Sequence, residues 1–292
     1  MLSEILIIAI RGIAIGSIFA TIAMSFNIVH GATNIFNFAQ GNMFILGGFA
    51  AYFFANQTGL PWWLTMMLVS SLGIAAIVAF QGYLTLLPLR SSVEQDSWLI
   101  STVSVSVIIG ALLMITQGPF AYSVSAMLPP FQLFGTRTPG AYGLAIVLML
   151  FWFVALRLFL RKTFLGLAIS ALSQDFDAAR AAGLPVRRLQ LIAFAISGLM
   201  VGSVGFLVAP VISVNPDAGL RYVLNGFVAS VVGGIGSYAG TLIGGPLVGV
   251  TAMLTAYKIG GAYQDLASLL LLVGILMLRP QGLFGRVTAR RV

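Results

Sequence analysis

The chain has 292 residues, 59% of them hydrophobic and only 8% charged, with a net charge of +8 and a mean hydropathy of +1.04. A soluble domain carries roughly 25% charged residues, so this composition excludes a soluble fold of this size and points to an integral membrane protein. The absence of cysteine excludes disulfides and thiolate metal sites and leaves the compartment open.

The first stretch, "MLSEILIIAIRGIAIGSIFATIAMSFNIV", reads as a membrane span rather than a cleaved signal peptide. It has no basic n-region, it carries Glu4 and Arg11, and its apolar run exceeds the roughly 7–15 residues of a signal core. Gly12 and Gly16 form a small-xxx-small face that admits a neighbouring helix closely. A span needs about 20 apolar residues. Further spans are expected at 36–55, 62–88, 98–116, 141–160, 189–211 and 264–279, after the first at 5–28, with an irregular segment at 222–256. This is one all-α membrane domain over 1–292 with about eight segments and discontinuous helices. The runs are continuously apolar rather than alternating, which excludes a β-barrel.

Two interruptions stand out. "NIFNFAQGNMF", at 34–44, places Asn37, Gln40, Gly41 and Asn42 at the mouth of a hydrophobic helix. "GGIGSYAGTLIGG", at 233–245, contains Gly233, Gly234, Gly236 and Ser237. Glycine at this density weakens a helix by about 1 kcal/mol per site. Paired glycine-interrupted segments in two halves of a membrane protein point to a transport path. On that reading Asn37, Gln40, Gly41, Asn42, Gly233, Gly234, Gly236 and Ser237 line the path, the amides offering neutral hydrogen bonds to a solute. The alternatives are that the amides cap a helix and that Gly236, Gly240 and Gly244 serve close helix packing. His30, the only histidine, has no carboxylate nearby in sequence and suits an interface.

Between 157 and 188 lie Arg157, Arg161, Lys162, Arg180, Arg187 and Arg188, and the tail holds Arg279, Arg286, Arg290 and Arg291. The positive-inside rule assigns both to the cytoplasm and the 117–140 connection to the outside. The side of the N-terminus depends on whether 222–256 crosses once or doubles back, and outside is the expectation. Within the loop at 161–188, Leu165, Ile169, Leu172, Phe176 and Ala179 fall at helical spacing and make one apolar stripe. Gly183 and Pro185 stop this helix. The helix either lies on the membrane surface or docks a partner protein.

"DAARAAG", at 177–183, is similar to the loop by which permeases of ABC importers contact their ATPase. The wider stretch 166–210, "NFAQGNMFILGGFAAY" at 37–52, "VVGGIGSYAGTLIGGPLVG" at 231–249 and "RPQGLFG" at 279–285 resemble permease subunits of branched-chain amino-acid (hydrophobic amino-acid/amide uptake) ABC importers. The resemblance covers nearly the whole chain in order, and the length suits the shorter of that family's two permease types. Relatives commonly have histidine where this chain has Gln40, and "EAA" where it has "DAA".

The resemblance implies an ATP-driven importer in the bacterial inner membrane with a cytoplasmic C-terminus. It implies docking of the ATPase by Phe176, Asp177, Ala178, Ala179, Arg180 and Gly183. It implies as partners a second permease, two cytoplasmic ATPases and a periplasmic solute-binding protein, besides membrane lipid. No cofactor, metal or nucleic acid is expected in this chain, and ATP is used by partner subunits. The only lysines, Lys162 and Lys258, lie in no GxxxxGK[ST] loop. Substrates implied are branched-chain amino acids or related amino acids, small amides and acids.

Two other function classes make different demands on the sequence. A stand-alone secondary transporter or channel for a small neutral solute would bury a coupling carboxylate near mid-membrane. Here Glu4, Glu94, Asp96, Asp175, Asp177, Asp217 and Asp265 fall at span ends or in loops. An intramembrane enzyme would need a catalytic motif, and neither HExxH nor a GxSxG turn occurs.

Overall fold

The computed structural model describes residues 2–58, 63–86, 97–126, 128–133 and 136–285. Backbone groups out of reach of water must bond one another, and continuous helix does this within one segment. The chain runs through α1 (Leu2–Thr33), α2 (Gln40–Thr58), α3 (Trp63–Leu86) and α4 (Ser97–Gln117). A short antiparallel pair follows, β1 (Phe131–Leu133) with β2 (Thr136–Thr138). The remainder is α5 (Gly140–Lys162), α6 (Phe164–Gln174), α7 (Phe176–Ala181), α8 (Val186–Val208), α9 (Gly219–Gly233), α10 (Tyr238–Lys258) and α11 (Gln264–Leu278). Among the described residues, seven helices are long and apolar enough to cross a membrane. The expected all-α polytopic bundle is present.

The segment expected to be irregular at 222–256 is two helices, α9 and α10, doubled back at 234–237. Gly234 ends α9 with φ +105, a left-handed conformation that costs glycine little. Ser237 opens α10 by accepting a hydrogen bond from Gly240 N at 3.0 Å. The hairpin is tight: a Cβ on Gly240 would lie 2.0 Å from Gly233 O, and one on Gly244 2.6 Å from Ala229 O. Gly236, by contrast, has open space around it.

α1 is the central post and makes its most extensive contact with α10, then with α8 and α9. The Gly12–Gly16 face is used there. A Cβ on Gly16 would lie 2.4 Å from Gly245 O, and one on Gly249 2.3 Å from Gly12 O, so the two backbones touch along a glycine seam. Hydroxyls buried in α1 bond their own helix: Ser17 Oγ donates to Ile13 O at 2.8 Å and Thr21 Oγ1 to Ser17 O at 2.9 Å.

α9 runs parallel to α1. Tyr222 stands by Phe19 (ring centroids 6.5 Å), Gly226 by Ile22, and Ser230 by Asn27. Its first turn therefore lies opposite the middle of α1, inside the bundle. The two ends of α1 mark two faces. Arg11 Nη2 donates to Arg137 O at 3.3 Å, which joins the first face to the 117–140 segment. At the other end Gln190 Nε2 donates to Ala32 O at 3.3 Å, and Gly31 lies against Ser173.

Candidate functional site

The 34–44 interruption is a non-helical link followed by a helix start. α1 continues past the expected end at 28 to Thr33, and α2 starts at Gln40 rather than at 36. Asn34 takes φ +55, and Asn37 Oδ1 accepts from Ala39 N at 3.1 Å, which turns the chain back. The three amides are buried and each has a partner. Asn37 and Gln81, from α3, exchange two bonds: Asn37 Nδ2 to Gln81 Oε1 at 3.0 Å and Gln81 Nε2 to Asn37 Oδ1 at 2.7 Å. Gln40 Oε1 accepts from Ser25 Oγ, and its Nε2 reaches Ser25 O at 3.4 Å. Asn42 Nδ2 donates to Ser106 O and to Ser106 Oγ, the latter at 3.0 Å. This layer joins α1, α2, α3 and α4.

The starts of α2 and α9 meet. A Cβ on Gly41 would lie 2.0 Å from Gly219 O, and one on Gly219 1.7 Å from Asn42 Oδ1. Only glycine allows that approach. Tyr222, one turn along α9, packs on Phe44 of α2 with ring centroids 4.6 Å apart. Beside this contact an open cavity of about 380 Å³ reaches the face that carries residues 211–215.

Gly233, Gly234, Gly236 and Ser237 are gathered at the other end of α9, roughly 20 Å along the helix from Gly219. Asn27 Oδ1 accepts from Ser230 Oγ at 2.8 Å and from Gly236 N at 3.1 Å, tying this turn to α1. The tail motif straps it from below: Leu283 N donates to Val232 O at 2.9 Å and Phe284 N to Gly233 O at 3.0 Å. Gly233 and Gly234 are buried under the strap, while Gly236 is exposed.

In the 161–188 loop the expected single stripe is split. Asp175 breaks the helix and caps the next, its Oδ1 accepting from Ala178 N at 2.9 Å. The reason is local: an aspartate side chain competes with helix continuation by offering its own acceptor. The stripe still faces inward through Ile169, Leu172 and Ala179, with Phe176 half-buried and Leu165 exposed. Asp177, Ala178, Arg180 and Gly183 face outward. Gly183, at φ +79, closes α7: Gly183 N bonds Arg180 O at 3.0 Å and Leu184 N bonds Ala179 O at 3.2 Å.

Sequence reasoning missed Gln81, Ser25, Ser106 and Asn27 as partners of the amides and of the turn. A lone glutamine or asparagine inside a long apolar helix was the available signal for Gln81 and Asn27, because a buried amide without a partner is costly.

A polytopic helical bundle in which two helices begin against one another in its interior defines a membrane transport protein. Comparison supplies the family. Residues 8–278 match the family described as the permease component of branched-chain amino acid transport systems, and the chain belongs to that family. It is a transport component and not an enzyme. It is 26% identical to the high-affinity branched-chain amino acid transport system permease protein LivH of Salmonella typhimurium, covering 97% of this chain and 96% of that one. It is 27% identical to the corresponding protein BraD of Pseudomonas aeruginosa, over 97% and 96%. A probable branched-chain amino acid transport permease protein LivH of Methanocaldococcus jannaschii is 29% identical, over 90% of this chain and 87% of its own length. No solved structure matches the chain.

Proposed function

We propose that this chain is the membrane-spanning permease of an ATP-driven importer that carries branched-chain amino acids, or related amino acids, small amides and acids, across the bacterial inner membrane. The observation that carries this reading is the meeting of two helix starts inside the bundle at Gly41 and Gly219, beside the layer of Asn37, Gln40 and Asn42. Each amide can exchange its present partner for a solute without any change of charge, and two helices that only touch can part. Gly233, Gly234, Gly236 and Ser237 serve as the turn about which α9 and α10 move together.

The energy comes from outside the chain. Two cytoplasmic ATPases dock at α7, where Asp177, Ala178, Arg180 and Gly183 face outward while Phe176 and Ala179 anchor the helix to the bundle. A motion delivered there reaches α1 through α6 and Ala32 through Gln190. A second permease completes the membrane assembly, and a periplasmic binding protein presents the solute on the 117–140 face. The positive-inside rule supports a cytoplasmic α7 face, and the strap at 282–285, bonded to the end of α9, supports a C-terminal segment on that same side.

The test is reconstitution of the permease with its partner subunits and binding protein in vesicles, followed by uptake of labelled L-leucine. Uptake that requires ATP on the α7 side supports the importer. Uptake by this chain without ATPase subunits would overturn it in favour of a stand-alone carrier.

A further inference from the structure

The cavity beside Tyr222 has a divided lining. Ile15, Ile18 and Phe19 of α1 with Ala252 and Met253 of α10 make an apolar wall. Arg221 and Asn225 of α9 with Gln264 and Asp265 of α11 make a polar one. Its volume of about 380 Å³ falls in the range of small-molecule sites.

The polar group is bonded as a unit with valences to spare. Arg221 Nε donates to Asp265 Oδ1 at 3.1 Å, Arg221 Nη2 to Gln264 Oε1 at 2.8 Å, and Asn225 Nδ2 to Asp265 Oδ1 at 3.0 Å. Two bonds thus converge on Oδ1 of Asp265. Among the described residues, Oδ2 of Asp265 and Nη1 of Arg221 take no hydrogen bond. Both side chains are about half exposed, at 49% and 51%. A hydrated pair of this kind contributes little to stability. In a chain with 8% charged residues, a cation and an anion set together on an apolar-backed cavity need another reason.

We propose that this cavity is a transit site for a zwitterionic α-amino acid with an apolar side chain. The carboxylate binds the Arg221 guanidinium, the ammonium binds Oδ2 of Asp265, and the side chain lies on Ile15, Phe19 and Met253. A neutral amide or a simple acid satisfies half of that arrangement. The zwitterion replaces one ion pair with two and leaves the net charge unchanged, so the Arg221–Asp265 pair can re-form when the solute leaves, as passage requires. Tyr222 forms the floor, and behind it Gly219 closes on Gly41 and Asn42. The site rests on the transport reading above and adds to it the chemistry of the solute's head group.

The natural absence of cysteine makes the test direct. Ser213→Cys places a single thiol on the exposed lip of the cavity, and Thr136→Cys places a control away from it. Maleimide labelling is timed in the purified permease–ATPase complex without ATP or binding protein. L-Leucine slows labelling at Ser213→Cys and leaves Thr136→Cys unchanged. Leucinamide, without the carboxylate, and isocaproate, without the amine, need at least about tenfold higher concentration for the same effect. Adding Arg221→Gln makes L-leucine and leucinamide equal, and adding Asp265→Asn makes L-leucine and isocaproate equal. Arg221→Lys keeps the discrimination, as a purely structural role would not require. An unchanged labelling rate with L-leucine, or wild-type discrimination in both neutral variants, overturns the site. Protection without ATP-driven uptake would instead remove the importer and leave the site standing.

Discussion

Gln81→Leu removes both bonds of the Asn37–Gln81 pair and replaces one side with an apolar group of similar size. Asn37 is fully buried, so its Nδ2 is left without a partner, while its Oδ1 keeps the bond from Ala39 N. One stranded donor costs about 1–3 kcal/mol. Asn37→Leu strands three groups: the donor and acceptor of Gln81, itself 3% exposed, and Ala39 N. The same count gives roughly 3–9 kcal/mol, the lower end applying if the longer glutamine swings to other partners. The double variant strands only Ala39 N, so it is more stable than Asn37→Leu alone, with a coupling of at least about 1 kcal/mol. Unfolding of the purified protein by SDS in mixed micelles measures all three. If Gln81→Leu costs as much as Asn37→Leu, or if the two losses simply add, the reciprocal pair does not hold the link before α2 to α3.

Gln40→Leu separates path from scaffold. Ser25 Oγ has Ile22 O at 2.6 Å as an alternative acceptor, so stability changes by less than about 1 kcal/mol; uptake falls roughly ten- to a hundredfold if Gln40 takes the solute in passage. Unchanged uptake with a lowered melting temperature would refute that role. A Cβ on Gly183 would meet no neighbour within 4 Å, so Gly183→Val acts chiefly through backbone strain, at least about 1–2 kcal/mol at φ +79. It distorts the exit of α7 and is expected to uncouple ATP hydrolysis from uptake while the permease inserts normally; ATPase co-purification with full transport would show that α7 is not the docking element.

The glycine stretch at 233–245 shows how far a linear reading reaches. Its density announces broken helix, and broken it is, at Gly234. Whether such a break lets the chain cross or double back depends on what receives the second helix. Here α10 lies in the seam offered by Gly12 and Gly16, which are distant in sequence. The amides are similar. Their position at the start of a hydrophobic helix is plain from 34–44, but their partners Gln81, Ser25 and Ser106 come from three other helices. The loop stripe was legible except for its break, because Asp175 fits either a solvated helical face or an N-cap until the chain direction is known.

Composition and periodicity by themselves determined a polytopic α-helical membrane protein. Eight per cent charge cannot cover a soluble surface, and in lipid each helix satisfies its own backbone. The basic residues near 157–188 and in the tail carry the expectation that these two segments share a side, since the orienting charge is local to the span ends. Only the tertiary structure decided that Gly41 meets Gly219, that Asn37 pairs with Gln81, and that Arg221 and Asp265 share one cavity. Those are contacts between helices that are uniformly apolar along much of their length. Apolar surface carries no register, so the partners are chosen where small residues let backbones close and where each buried polar group finds its complement.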